Sequence, residues 1–173
     1  MSPAVPRHAF EMAREWSRQG EDVLFIQTFR RLIKVYFYKE GKAQHVIRFW
    51  DEDGCRLLQL LKTANVGMIH VEHLLDAEPW MLTLHRALHV PLVVTLHDYY
   101  FICPFIKLTD EHDVYCGEKG EADCNACLER RGFTSPTMGC QVKQISSWKN
   151  FWLDYLKEAR LILVPSKDMK ERV

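Results

Sequence analysis

The sequence has no excess of charge of either sign: Lys plus Arg number 23 and Asp plus Glu number 23 over 173 residues. A protein that tracks a phosphate backbone carries a basic excess, so this balance argues against a nucleic-acid partner. No apolar run approaches the roughly 18–20 residues of a membrane-spanning helix. The opening residues, Met1-Ser2-Pro3-Ala4-Val5-Pro6, lack the charged-then-apolar pattern of a secretion signal, so the expected compartment is cytoplasmic. Neither an internal repeat nor a low-complexity linker is present. Also lacking is the strand and glycine-rich turn with which doubly wound domains usually begin. The chain stops within a turn or two of a new helix, and the expectation from both ends is a piece of a longer protein.

What is there is ordinary globular composition, 47% hydrophobic and 27% charged, enough for one domain with a sizeable core. His8–Arg18 reads as a helix with Ala9, Met12, Ala13 and Trp16 on one face. Asp22–Thr28 reads as a buried strand. Ile33–Tyr38 and Gln44–Trp50 form a hairpin about Glu40-Gly41-Lys42. Helices are expected at Asp53–Ala64, Glu78–His89 and Val142–Ala159, with Pro79 tolerated in a first turn. Short strands, apolar on both faces, are expected at Gly67–Val71, Pro91–Leu96 and Leu161–Val164. Ser166 reads as the N-cap of a last helix. Helix and strand alternate, which predicts an α/β fold: a Rossmann-like parallel sheet with helices on both faces, a β-hairpin, and an irregular Cys-rich insertion over about 99–140.

Five of the six cysteines, Cys103, Cys116, Cys124, Cys127 and Cys140, fall within 38 residues. Reduced clustered thiols read as metal ligands before they read as disulfides. Cys103, Cys116, Cys124 and Cys127 are separated by twelve, seven and two residues, and only the last interval is a tight knuckle. Four thiolates around a structural Zn²⁺ suit a segment, 105–123, with little apolar core of its own. Cys140 is the alternative to Cys103 as fourth ligand. A disulfide and a Cys124–Cys127 redox pair are the competing readings. Cys55, on a leucine-rich helix, reads as a core thiol. The acids Asp110, Glu111, Asp113, Glu118, Glu121 and Asp123 read as a solvated face. Trp148, Trp152 and Tyr155 recur at helical spacing and read as core, or as a seam against another domain.

In open parallel sheets, ligands bind beyond the carboxyl ends of the strands. His97 and Asp98 follow the apolar run Val93-Val94-Thr95-Leu96 at that place. His97 is a candidate acid, base or hydrogen-bond donor, with Asp98 to orient it. Tyr99, Tyr100 and Phe101 offer stacking faces. Strand alternation sets His70 and Glu72 on one face and His73 on the other, near enough to the strand end to share a cleft with His97.

The stretch Val94-Thr95-Leu96-His97-Asp98-Tyr99-Tyr100-Phe101-Ile102-Cys103-Pro104 resembles the N-terminal, acceptor-side domain of bacterial family-four glycosyltransferases of the GT-B fold. Arg7-His8-Ala9-Phe10-Glu11-Met12-Ala13 is similar to that family's first helix. Ile69-His70-Val71-Glu72-His73-Leu74 resembles its His-rich strand, and Arg160-Leu161-Ile162-Leu163-Val164-Pro165-Ser166 its last strand. The resemblance covers most of the chain from Arg7 onward. It implies transfer of a sugar from a nucleotide-sugar donor to a saccharide or lipid-linked acceptor, usually with retention, as in bacterial polysaccharide biosynthesis. By that carry-over His97 contacts the donor sugar at the cleft between the two domains; with the strand-end position this makes His97 and Asp98 the catalytic candidates and His73, Tyr99, Tyr100 and Lys107 the substrate-binding ones. Phe105 stands where the family often carries Arg, and Lys107 is the expected substitute for its phosphate contact.

The resemblance further implies that the donor is held by a C-terminal domain, the chain's own partner. The isolated chain is then expected to be inactive. Apolar surface uncovered on it would favour dimerisation, and a lipid-linked acceptor implies peripheral membrane contact. Two other readings compete. One is a non-catalytic, zinc-stabilised binding module on a Rossmann-like scaffold. The other is a metal-dependent hydrolase using His97 and Asp98, for which further ligands on helices are not evident.

Overall fold

Ala9 and Ala13 are buried, with Met12 and Trp16 half-buried, on the first helix, α1 (Ala4–Arg18). The computed structural model describes residues 4–75, 77–117 and 119–173, the side chains of residues 4–6 excepted. Within them the chain is mixed α/β and divides into two units. One runs to Val66 and takes in the segment ending at Leu88; the other comprises Gly67–Leu75 and His89–Val173.

In the first unit, β1 (Val23–Phe29), β2 (Leu32–Lys39) and β3 (Lys42–Trp50) form an antiparallel sheet in that order. Alternation along β2 decides its two faces. Ile33 and Val35, both fully buried, pack with Leu57 and Leu61 of α2 (Cys55–Thr63). On the other face, the rings of Phe25 and Tyr36 lie 4.3 and 5.4 Å from Phe10 of α1. The hairpin turns on Glu40 and Gly41, both at positive φ (51° and 74°), as a two-residue turn matched to strand twist requires. β1 is half-buried, not the buried strand expected, because it forms an edge of this sheet.

Asp51, 2% exposed, secures the start of α2: its carboxylate accepts the Leu57 N–H at 2.8 Å and the Arg56 N–H at 3.4 Å. Cys55 lies at the exposed first residue of α2 and so is not a core thiol. The single helix expected over 78–89 is instead a 3₁₀ turn (Pro79–Thr83) followed by α3 (Leu84–Leu88). The tighter winding lets the adjacent Trp80 and Met81 both reach the core that Leu84 and Leu88 also meet.

The second unit is built on β4 (Ile69–Val71) and β5 (Leu92–Thr95), followed by α4 (Glu121–Arg131), the short hairpin β6 (Thr134–Ser135) and β7 (Cys140–Gln141), α5 (Ile145–Leu156), β8 (Leu161–Leu163) and α6 (Lys167–Arg172). β4, β5 and β8 form a parallel sheet with β5 in the middle. β8 is therefore an edge strand, and Leu161 and Leu163 are exposed where burial on both faces was expected. Trp148, Trp152 and Tyr155 are core: the first two are fully shielded, and Trp148 Nε1–H donates to the Tyr100 carbonyl at 2.9 Å. α4 interrupts the segment expected to be irregular. It buries only Leu128, so it shows no apolar stripe to betray it. Ser166 caps α6 as expected, its Oγ accepting from the Met169 N–H at 3.1 Å. No helix among the described residues is long and apolar enough to cross a membrane.

Candidate functional site

The ends of β4 and β5 carry three cross-strand side-chain pairs. His70 Nε2 lies 2.7 Å from Thr95 Oγ1, His97 Nε2 lies 2.6 Å from Glu72 Oε2, and His73 Nε2 lies 2.8 Å from Asp98 Oδ2. The partners in each pair are 25 residues apart in sequence. The backbone register sets Val71 opposite Val94, a separation two residues shorter. His70 of β4, and Glu72 and His73 just beyond it, thus each reach a position two residues further along the second chain segment than the strand register would set opposite them. His70 Nε2 also stands 3.5 Å from Glu72 Oε1, which links two of the pairs.

These contacts assign protons. An ionised carboxylate only accepts, so Nε2 of His97 donates to Glu72, which orients the imidazole as proteins orient a histidine used as an acid, a base or a hydroxyl partner. His73 is held at both nitrogens: Nδ1 accepts the Leu75 N–H at 2.9 Å while Nε2–H donates to Asp98. The other Asp98 oxygen accepts the Tyr100 N–H at 3.0 Å. Burial pushes the Asp98 carboxyl up, but the hydrogen bonds from His73 and Tyr100 and the nearby imidazoles outweigh it and hold it below the ordinary carboxylate range.

The pairing differs from the expected one. Asp98 was expected to orient His97; Glu72 does so, and Asp98 engages His73. His73 is therefore the partner of Asp98, beside the Tyr100 ring 5.6 Å away. Tyr100 is fully buried, packed edge-on against Trp148, so it has no face to offer a substrate. Tyr99 is half-buried and gives its hydroxyl to Asp168 at 2.6 Å, which ties the strand-end loop to α6. Lys107 is exposed on the loop, and Phe105 stacks under the Arg131 guanidinium at 3.6 Å. Glu72 and Thr95 were not singled out as partners. The signal for them is the parallel register, which is available only once strand pairing is known.

The cysteines gather elsewhere in this unit. Cys103, Cys116, Cys124 and Cys127 all line one cavity of about 170 Å³. Cys140, on β7, is exposed and does not line it. Burial pushes the Cys103 thiol up to about 11, against the lowering effect of the Phe105 N–H, and the other three sulfurs add to the rise. The Cys116 thiol donates to the Leu108 carbonyl at 3.0 Å and the Cys124 thiol to the Lys119 carbonyl at 3.3 Å. Of the acids expected on a solvated face, Glu111, Asp113, Glu121 and Asp123 are exposed and Asp110 is half-buried; Glu118 lies outside the described residues. Glu111 is paired with Arg130 at 2.6 Å.

Comparison of the chain with protein-family models, with curated proteins and with solved structures returns no match.

Proposed function

We propose that the chain is the acceptor-side half of a glycosyltransferase, Rossmann-like in its parallel sheet, that moves a sugar from a nucleotide-sugar donor to a saccharide or lipid-linked acceptor. The observation that carries this reading is the Glu72–His97 pair at the carboxyl ends of β4 and β5. Ligands of open parallel sheets gather at that edge. A carboxylate-oriented imidazole there can hold a sugar hydroxyl and pass a proton. His73 and Asp98 act one step back: they fix the backbone at Tyr100 and so the course of the loop that follows His97. The resemblance of Val94–Pro104 to the family motif supports the same assignment. Action on the cytoplasmic face of a membrane, by peripheral contact, fits an acceptor carried on lipid.

The test is a transfer assay on the longest polypeptide read from the frame that encodes these residues. Labelled uridine- and guanosine-diphosphate sugars are offered with a bacterial lipid and polysaccharide extract. Label in the acceptor fraction, lost in His97→Ala, supports the proposal. Transfer that is unchanged in His97→Ala overturns it, as does a folded protein that transfers from no donor. In the second case, saccharide binding without transfer favours a non-catalytic binding module. The 173-residue chain alone is expected to bind acceptor and transfer nothing.

A further inference from the structure

Cys103, Cys116, Cys124 and Cys127 come from three separate stretches of chain. Cys103 follows the strand-end loop. Cys116 follows the Thr109–Tyr115 bridge, and Cys124 and Cys127 lie one turn apart on α4. That all four line one cavity, while Cys55 and Cys140 do not, is a selection that composition alone does not make. We propose that these four cysteines form a tetrathiolate site for a zinc-class divalent metal ion, and that the ion fixes the loop carrying the strand-end residues.

The chemistry of the surroundings suits such an ion. The cavity lining includes Ile102, Leu108, Leu128 and Ile145, each 5% exposed or less, so its inner wall excludes water as closed structural sites do. A divalent ion with four thiolates carries two net negative charges. Lys119, Arg130 and Lys149 line the same cavity but are matched there by Asp110, Glu111 and Asp123, with Glu111 paired to Arg130 at 2.6 Å, so the lining itself is close to neutral. On loading, each thiol gives its proton to solvent and its sulfur to the metal. No three of the four sulfurs stand within 4.8 Å of one another before loading, so Cys116 and Cys124 must give up their weak S–H donations to the Leu108 and Lys119 carbonyls and turn inward.

The segment also needs a cross-link. Among the described residues of 105–123, Leu108 is the single fully buried apolar side chain. Ordering the backbone of this whole segment costs more conformational entropy than the burial of one leucine returns. Ile106 sits at φ 73°, with the Lys107 N–H on the Phe105 carbonyl at 2.7 Å. This is a γ-turn of the strained hand at a β-branched residue. Such strain persists where the flanks are pinned, and Cys103 and Cys116 are the flanks. Cys103 is joined to the strand end directly, its N–H donating to the Tyr99 carbonyl at 2.8 Å.

The experiment is metal analysis of the full chain purified under reducing conditions without added metal, followed by X-ray absorption at the zinc edge. About one equivalent of zinc is expected, with four sulfurs at ~2.3 Å. Cys55→Ser and Cys140→Ser are expected to keep the metal, while Cys103→Ser and Cys124→Ser lose it. If the serine variants unfold, Cys127→His is the fallback: it is expected to retain zinc with three sulfurs and one nitrogen at about 2.0–2.1 Å. Chelation is expected to raise amide exchange across both 99–106 and 116–127. Less than about a tenth of an equivalent in the unaltered chain, with all six thiols titratable, overturns the proposal. So does a disulfide among the four, a shell of oxygen and nitrogen, or equal loss in Cys140→Ser. None of these readouts depends on sugar transfer.

Discussion

Glu72 takes the Nε2–H of His97 at 2.6 Å across the ends of two adjacent parallel strands. The carboxylate fixes the orientation of the imidazole. In the assay proposed above, His97→Ala is expected to lower kcat by about 10²–10⁴, the usual weight of a general acid or base. Glu72→Gln keeps an acceptor for Nε2–H but removes the charge. It is expected to cost about 10–100-fold, as for other carboxylates that orient a histidine. Equal, large losses with intact circular dichroism would instead make Glu72 a direct substrate contact.

Asp98 titrates below its ordinary range in the folded chain. Its depressed pKa stabilises the fold above the unfolded value, near 4, and that contribution disappears as pH falls through the folded value. Urea unfolding of the wild type and Asp98→Asn from pH 7 to pH 3 is expected to show a gap that is constant above about pH 5 and narrows below about pH 4. A gap that stays the same width at pH 3 contradicts the assignment.

Trp148 joins α5 to the loop after β5 through its bond to the Tyr100 carbonyl. Trp148→Phe keeps most of the ring and leaves that carbonyl without its donor, which is expected to cost about 1–3 kcal/mol. Trp148→Ala adds a cavity and is expected to cost about 3–5 kcal/mol. Denaturant midpoints at constant slope measure both; a Phe variant as stable as the parent would show that the bond is replaced by water.

Gly54 has φ 80°, and a Cβ there would stand 2.4 Å from Trp80 Cε3. Gly54→Ala therefore meets two penalties, about 1–2 kcal/mol for the left-handed backbone and about 1–3 kcal/mol for overpacking. In a Trp80→Leu background only the first should remain, so a double-mutant cycle is expected to return a coupling of about 1–3 kcal/mol. Zero coupling would place the Trp80 ring elsewhere.

Local signals were legible where one physical term dominates. The Ser166 cap, the Glu40-Gly41 turn and the apolar run of β5 follow from side-chain hydrogen bonding, turn conformation and burial, and the structure has all three. Misreadings arose where tertiary partners decide. β8 reads as buried because Leu-Ile-Leu is apolar, yet an edge position exposes Leu161 and Leu163. α4 holds too few apolar residues to read as a helix. Tyr100 reads as a ligand face because it follows His97, but it is enclosed by Trp148 and Trp152, 48 or more residues downstream. At the strand end the right residue types were visible and their partnering was not, since pairing depends on register. For the cysteines, Cys140 stood as the alternative to Cys103 because burial under the strand end could withdraw Cys103; in the structure Cys103 lines the cavity and Cys140 does not.

The shared 25-residue interval of the three strand-end pairs has a further consequence. β4 and β5 pair over only three rungs, and five of the six residues in them are apolar, so apolar burial by itself distinguishes one register from the next only weakly. A shift of one residue would turn His97 to the opposite side of the sheet and break all three polar pairs together. The three pairs can therefore all form in one alignment only, and replacing any of the six side chains is expected to weaken the rejection of misaligned folds.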